Sequence, residues 1–291
     1  MRSTFNAGLA CWDQRHTVAA ASAQLRRLAA AVQGASDLAL FQWGQLFAAT
    51  LDFAPTLIVE LGRHRGSSTC VFTTAAQALD ARVVSLCLSP CWRTETRPRL
   101  AGLVPPSWLS YLEAREADIA AADFDAIVGD AARVLILWDA HGYDIAEHVL
   151  GRLLPSVADR PHLVIAHGIS DARHELPPSR PAGERYALWR GNDWSGPRVR
   201  LGHLDSCLEQ AVAMVDFTSR NGVVLHTAAE DIHGAIGVHP FRVEAIERTL
   251  GDLWAAQAHW CHFSLNGRPG SYRFPAAARA QVPARAGEGP A

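Results

Sequence analysis

Apolar residues near the start of the chain recur at the spacing of amphipathic helices. One helical face over residues 16–33 carries five apolar side chains: Val18, Ala21, Leu25, Leu28 and Val32. Gly34 can end this helix, and Ser36 can cap a second one that runs to about residue 51. The pattern therefore predicts a helical extension over residues 1–52 that packs on the rest of the protein.

From residue 56 the pattern changes to short apolar runs that alternate with helical segments. The predicted strands are Thr56–Leu61, Arg82–Leu88, Leu109–Ala114, Val134–Trp138 and His162–Ala166. Helices are expected after Gly66 and over residues 144–154. Strands that are apolar throughout are typical of a parallel sheet covered on both faces. The sequence thus predicts an α/β fold, a doubly wound, mostly parallel, Rossmann-like sheet with helices on both faces and the N-terminal helical extension beside it.

Residues 172–202 interrupt this alternation. They are rich in proline, arginine and tryptophan, and they are too long for a routine connection between two elements. We expect a lid or substrate-binding insertion here. Its tryptophans and arginines could stack on a ligand or bind an anion: Trp189, Trp194, Arg185 and Arg190.

Regular elements return after this insertion. A helix with Leu204, Leu208, Ala211 and Val215 ends at Asn221-Gly222. It is followed by a strand over residues 223–228, a helix through Leu253 and a last strand around WCHFSLN. The α/β domain is therefore assigned residues 53–274, and residues 275–291, which have no aromatic side chain, are expected to form a disordered tail.

The composition is that of an ordinary globular protein. Hydrophobic residues make up 49% of the 291 residues, charged residues make up 19%, and the formal net charge is −2. A nearly neutral chain gives no general attraction to nucleic acid. No apolar run reaches the roughly 18 residues of a membrane span, and the N-terminus lacks a signal-peptide core. We therefore expect a cytoplasmic protein that acts on a small molecule and binds neither membrane nor nucleic acid, with oligomer formation left open.

A glycine loop follows the first predicted strand. It reads Glu60-Leu-Gly62-Arg-His-Arg-Gly66-Ser67-Ser68 and leads into a helix. Glycines permit a sharp turn and a close approach of the backbone, and the N–H groups of a helix N-terminus attract carboxylates or phosphates. The alternative is an ordinary turn between a strand and a helix.

Acids and histidines follow two further strands. Asp139 and His141 come directly after the strand VLILW, and His167 ends the strand HLVIAH, with Asp171 nearby. Because the carboxyl ends of parallel strands meet at one edge of a sheet, these side chains and the glycine loop are expected to share a crevice. A carboxylate there can hold a ligand or a metal, and a histidine can act as a general base near neutral pH.

Taken together, VELGxxxGxSS, DAHG after an apolar strand, and a later strand that ends in histidine resemble class I S-adenosylmethionine-dependent methyltransferases. The similarity is greatest to bacterial small-molecule and sugar methyltransferases with Asp-x-His after the fourth strand and His-Asp after the fifth. It covers roughly residues 55–173.

The resemblance implies roles for particular residues. The methionine end of the cofactor would be lined by Glu60, Gly62, Gly66, Ser67 and Ser68. Asp118 would lie near the adenine, Asp139 would face the sulfonium, and His141 would face the substrate, with His141 or His167 as the base. The acid that usually ends the second strand and holds the ribose is replaced here by Cys87, with Ser89 as the remaining hydrogen-bonding side chain. A divalent metal, if one is bound, would be held by Asp139, His167 and Asp171.

The function implied is that of an enzyme, an S-adenosylmethionine-dependent methyltransferase that modifies a hydroxyl group of a sugar or secondary metabolite. The missing ribose-binding acid favours one alternative, a methyltransferase-like partner subunit without catalysis. A metal-dependent hydrolase is another, since DAHG is similar to the DAHxD motif of the arginase family, although Tyr143 stands at the second Asp position. A nicotinamide dehydrogenase is disfavoured because GxGxxG is absent.

Overall fold

Two helices precede the sheet in this computed structural model, which describes residues 5–32, 38–167, 201–265 and 271–276, with only the backbone described for residues 201–206. Helix α1 spans Ala7–Val32 and α2 spans Leu40–Phe53. The first helix begins earlier than the predicted residue 16 because Ala7, Ala10 and Cys11 extend its buried face by more than two turns. Both helices contact the helix that follows the glycine loop.

Within the described ranges the sheet has seven strands: β1 Leu57–Leu61, β2 Arg82–Cys87, β3 Leu112–Glu116, β4 Val134–Trp138, β5 His162–His167, β6 His226–Thr227 and β7 Trp260–Phe263. Their order is β3-β2-β1-β4-β5-β7-β6. Strands β1 to β5 are parallel, and β7 runs antiparallel to β5 and β6. The predicted α/β class with a mostly parallel sheet is confirmed.

Nine further helices connect or follow these strands among the described residues: α3 Ser67–Leu79, α4 Arg97–Leu100, α5 Pro106–Leu109, α6 Phe124–Val128, α7 Tyr143–His148, α8 Leu154–Val157, α9 Leu201–Arg220, α10 Ala228–Ile232 and α11 Pro240–Leu250. Segments of π-helix cover Trp92–Thr96, Val149–Leu153 and His233–Gly237, and 3₁₀ turns cover Ile119–Ala121 and Gly251–Leu253.

Each face of the sheet is covered by an apolar layer. Alternate strand residues point to opposite faces, so Ile58 and Val83 join the side chains of α1, α2 and α3. Val59 and Val84 join the side chains of α6 to α9 on the other face. The predicted placement of helices on both faces is therefore confirmed.

Some predicted elements differ from those observed. The third strand begins at Leu112 and not at Leu109, because Pro106 starts a short helix that occupies the preceding residues. The strand expected over residues 223–228 is only two residues long. In α9, Leu208 and Val215 are exposed, and the helix instead buries the face that carries its glutamine, methionine and phenylalanine.

Several predictions concern parts of the chain outside the described residues. These are the cap at Ser36, the insertion over residues 172–202 with its tryptophans and arginines, Asp171, and nearly all of the predicted tail. In the described ranges, the helices are all too short or too polar to traverse a lipid bilayer.

Candidate functional site

The glycine loop over residues 62–66 joins β1 to α3 in a backbone conformation that favours glycine. Gly62 has φ +96° and Gly66 has φ +95°. A Cβ atom at Gly62 would lie 2.2 Å from the carbonyl oxygen of Asp139, and one at Gly66 would lie 2.4 Å from the ring of Trp92. Both glycines are therefore required by packing inside the protein as well as by the turn itself.

Side chains of the loop fasten it to neighbouring strands. Arg63 is 2% exposed, and its guanidinium donates to the carbonyl and hydroxyl oxygens of Ser85 at 2.8 and 2.9 Å and to the carbonyl of Arg115 at 3.2 Å. Arg65 forms an ion pair with Glu95 at 2.6 Å. The loop is thus held on β2, β3 and the segment after β2, which reduces the ordering that a ligand must impose.

Glu60 lies in the protein interior. Its carboxylate is fully buried and accepts hydrogen bonds from the hydroxyls of Ser68 at 2.5 Å, Thr69 at 2.6 Å and Ser85. Burial raises the pKa of Glu60 above its ordinary value, while these hydrogen bonds and the charge of Arg63 act in the opposite direction. Glu60 and Ser68, both expected beside a cofactor, therefore contact each other beneath the loop.

A thiol lies at the end of β2, where the resemblance places an acid. The Cys87 sulfur accepts hydrogen bonds from the backbone N–H groups of His64 and Ser89, each at 3.4 Å. The hydroxyl of Ser89 accepts the N–H of Cys91 at 3.3 Å. Two N–H donors thus converge on a half-buried sulfur beside the glycine loop.

The end of β4 brings together the acid and histidines that the sequence singled out. The backbone N–H of Asp139 donates to the carbonyl of Leu61 at 2.9 Å, which ties this position to β1. Asp139 Oδ1 lies 3.1 Å from His167 Nδ1 and 3.9 Å from His141 Nε2. The side chains of Asp139 and His141 are 24% and 18% exposed, whereas that of His167 is 1% exposed. Asp139 and His141 can therefore meet a ligand, and His167 lies behind them.

Helix α9 fixes the ring of His141. Its Nδ1 atom lies 2.5 Å from Oε1 of Gln210, a fully buried residue whose amide nitrogen donates to the carbonyl of Trp138 at 3.4 Å. This orientation of the amide makes Nδ1 the protonated nitrogen of a neutral His141. Nε2 is then the nitrogen with the lone pair, and it is the one on the side of Asp139.

The remaining predicted site residues are spread over the same edge of the sheet. Asp118 follows β3, is exposed and caps a 3₁₀ turn by accepting the N–H of Ala120 at 2.9 Å. Ser67 is buried in the first turn of α3. Among the described residues, no group of three or more His, Cys, Asp or Glu side chains is arranged to hold a metal ion. Since Asp171 is not among them, the predicted metal ligands stay a prediction.

Comparisons with known proteins found solved structures that are similar to this chain. No family model matches the chain, and no curated protein matches it. Cofactor-bound Rv0187 from MTB is 15% identical over 71% of this chain and 80% of its own, with a TM-score of 0.43. The methyltransferase PaMTH1 of Podospora anserina, with SAH bound, is 12% identical over 76% and 82%, with a TM-score of 0.42. The O-methyltransferase TomG of Streptomyces achromogenes, in complex with SAM, is 14% identical over 69% and 80%, with a TM-score of 0.43. At these identities the similarity concerns the fold alone.

The polar residues at this edge that were not predicted as part of the site include Thr69 and Ser85, which contact Glu60, and three longer side chains, Gln42, Arg63 and Gln210. The three longer ones are at most 5% exposed. The glutamines stand in apolar helical stretches, LFQWGQLF and LEQAVAM, where a buried amide requires a hydrogen-bonding partner. That requirement is readable from the sequence, but the identity of the partner is not.

Proposed function

We propose that this chain is an S-adenosylmethionine-dependent methyltransferase that transfers a methyl group to a hydroxyl of a small molecule, such as a sugar or secondary metabolite. One observation carries the proposal. The carboxylate of Asp139 and the imidazole of His141 follow β4 directly and lie beside the glycine loop that follows β1.

The position of this cluster in the sheet supports a ligand site. The strand order reverses between β1 and β4, since β1 leads to β2 and β3 on one side and β4 leads to β5 on the other. Ligands of open α/β sheets bind at the carboxyl ends of the strands at such a reversal. The antiparallel β7, inserted between β5 and β6, distinguishes this sheet from the 3-2-1-4-5-6 order of nicotinamide dinucleotide domains.

The chemical groups of the site are complementary to those of S-adenosylmethionine. The methionine carboxylate suits the N-terminus of α3, which begins at Ser67 after the glycine loop. A positively charged sulfonium suits the partly exposed carboxylate of Asp139. Ser89, close to Cys87 at the end of β2, would take the ribose, and Asp118 lies two strands away for the adenine.

When bound, S-adenosylmethionine supplies a methyl group that an acceptor oxygen can attack in line with the carbon–sulfur bond. The chain's own task is to align the two molecules and to take the hydroxyl proton. His141 is suited to accept that proton at Nε2, because Gln210 engages the opposite nitrogen. His167 is less suited to direct contact, because it is buried.

The experiment that tests this function uses methyl-labelled S-adenosylmethionine with a panel of sugars and hydroxylated aromatic compounds. We expect label transfer by the wild type and a loss of about 100-fold or more in His141→Gln, the usual contribution of a general base. His233→Gln, which changes an exposed histidine on a distant segment, should retain activity. Undiminished transfer by His141→Gln would refute the role of this histidine.

A second function, that of a partner subunit without catalysis, is favoured by the thiol at Cys87. A thiol is a weaker hydrogen-bond acceptor than the carboxylate it replaces, so it would hold a ribose less firmly. This alternative predicts no transfer to any acceptor and no measurable affinity for the cofactor or its demethylated product.

A further inference from the structure

Helix α2 reaches the site through Gln42. This residue is 5% exposed and lies three residues after Ala39, which precedes the helix. The side-chain oxygen of Gln42 accepts the backbone N–H of Ala39 at 2.7 Å, a contact that helps to begin the helix. Its amide nitrogen lies 2.8 Å from Nε2 of His167.

The contact with Ala39 decides which way the amide of Gln42 faces. Because the oxygen is engaged by an N–H donor, the NH₂ group is the part that points to His167. Nε2 of His167 must then accept, so the ring proton sits on Nδ1. From there it is donated to Asp139 Oδ1 at 3.1 Å.

These hydrogen bonds connect the start of α2 to the crevice, from Gln42 through His167 to Asp139. His167 is 1% exposed, so the protein interior and not the solvent sets which nitrogen carries the proton. Of the three hydrogen-bonded side chains, that of Asp139 is the one that is partly exposed. An amide in the first turn of α2, the second helix of the N-terminal pair, therefore acts on a carboxylate that it does not touch.

We propose that Gln42 is a positioning residue: it fixes the ring proton of His167 on Nδ1 and so holds the Asp139 carboxylate in one orientation toward the ligand. The effect on the ligand rests on the proposed function, whereas the effect on His167 does not. The N-terminal helical pair thereby becomes part of the site and not only a cover for the sheet.

The variant Gln42→Glu isolates this role. Glutamate has the same length and can still accept the N–H of Ala39, as it commonly does at this position of a helix. When ionised it cannot donate, so at a pH where the new glutamate is charged Nε2 of His167 has to carry a proton and become the donor. The change therefore keeps the helix start and reverses one hydrogen bond.

Gln45→Glu is the matched control. Gln45 lies on the same helix and is 1% exposed, and its amide nitrogen donates to the carbonyls of Ala255 and Gln257. It also accepts from the indole of Trp260 at 3.3 Å. The control therefore buries an extra carboxylate in the same helix, among partners that do not include His167.

The first measurement is nitrogen NMR of the full-length protein labelled with ¹⁵N-histidine, at one fixed pH and below the melting temperature of each variant. We expect His167 to carry its proton on Nδ1 in the wild type and in Gln45→Glu, and to be protonated on Nε2 in Gln42→Glu. An unchanged Nε2 in Gln42→Glu, or an equal change in both variants, would overturn the assignment.

The second measurement is the affinity for S-adenosylmethionine by calorimetry, since its sulfonium is the group assigned to Asp139. We expect Gln42→Glu to weaken binding by about tenfold, similar to the loss of partners that orient metal ligands, and Gln45→Glu to leave it near the wild-type value. A shifted proton with unchanged affinity would overturn the positioning role. If the wild type does not bind, the proposed function fails, and the NMR result still decides whether Gln42 sets the state of His167.

Discussion

Cys87 shows how much one side chain can alter the site. Its sulfur receives two backbone N–H groups, from His64 and Ser89, at 3.4 Å each. Backbone N–H donors stabilise a negatively charged acceptor more strongly than they stabilise a neutral thiol. Hydrogen bonds to charged groups contribute about 1.5–3 kcal/mol. The backbone around Cys87 is therefore suited to a carboxylate that the sequence does not supply.

This yields a prediction at the scale of one residue. Cys87→Asp should raise the affinity for S-adenosylhomocysteine by about tenfold or more, because the new carboxylate can accept the two N–H groups and the ribose hydroxyls. Calorimetric titration of both proteins measures the change. Cys91→Asp places the same charge four residues later in the same segment and should give no gain. Equal or weaker binding by Cys87→Asp would show that the ribose does not lie at the end of β2.

At the scale of elements, His162 joins the start of β5 to the segment after β7. Its Nδ1 lies 2.9 Å from the carbonyl of Arg160, and its Nε2 lies 2.9 Å from the backbone N–H of Leu265. The neutral ring, with its proton on Nδ1, satisfies both contacts. Burial lowers the pKa of His162 below its ordinary value of 6.5, although the nearby carbonyls act to raise it.

The sign of the resulting pH dependence follows from this lowered pKa. Below pH 6.5 the unfolded chain takes up a proton at His162 that the folded protein resists, so the free energy of unfolding falls as the pH falls. Urea unfolding at pH 7.5 and 5.5 should show a smaller pH-dependent loss in His162→Gln than in the wild type. An equal loss in the two proteins would contradict a lowered pKa of His162.

The elements that were predicted correctly are those whose pattern is local. Strands β1, β4 and β5 agree with prediction to within one residue, because each is an apolar run bounded by polar residues. Strand β3 reads LEARE and lies at the sheet edge with exposed side chains, so no apolar run marks it. The buried face of α9 was also misjudged, since leucine and valine at helical spacing do not reveal which face meets the sheet.

The same limit applies to the site. Asp139 and His141 could be predicted from their position after a buried strand. Gln42 could not, because its partner His167 is 125 residues away in the sequence. The interior position of Glu60 could not be predicted either, because it depends on Ser85, whose strand β2 pairs with β1 only in the folded sheet.

At the scale of the whole molecule, the parallel sheet brings distant residues to one edge. The carboxyl ends of β1, β2, β4 and β5 carry the glycine loop, Cys87, Asp139 and His167. The apolar layer formed with α1 and α2 supports this edge from one side, and α9 supports it through Gln210 on the other. Ligand binding at the edge should therefore stabilise the entire fold, by about 2.7 kcal/mol at a ligand concentration 100 times the dissociation constant.

The most direct test of the account is calorimetric titration of the full-length protein with S-adenosylhomocysteine. With S-adenosylmethionine, which carries the sulfonium charge, as a second titrant, we predict saturable binding by the wild type and by Asp144→Ala, which removes an exposed acid from α7, and loss of binding in Asp139→Ala. Absence of binding by the wild type, or equal binding by Asp139→Ala, would contradict a cofactor site at the ends of β1 and β4.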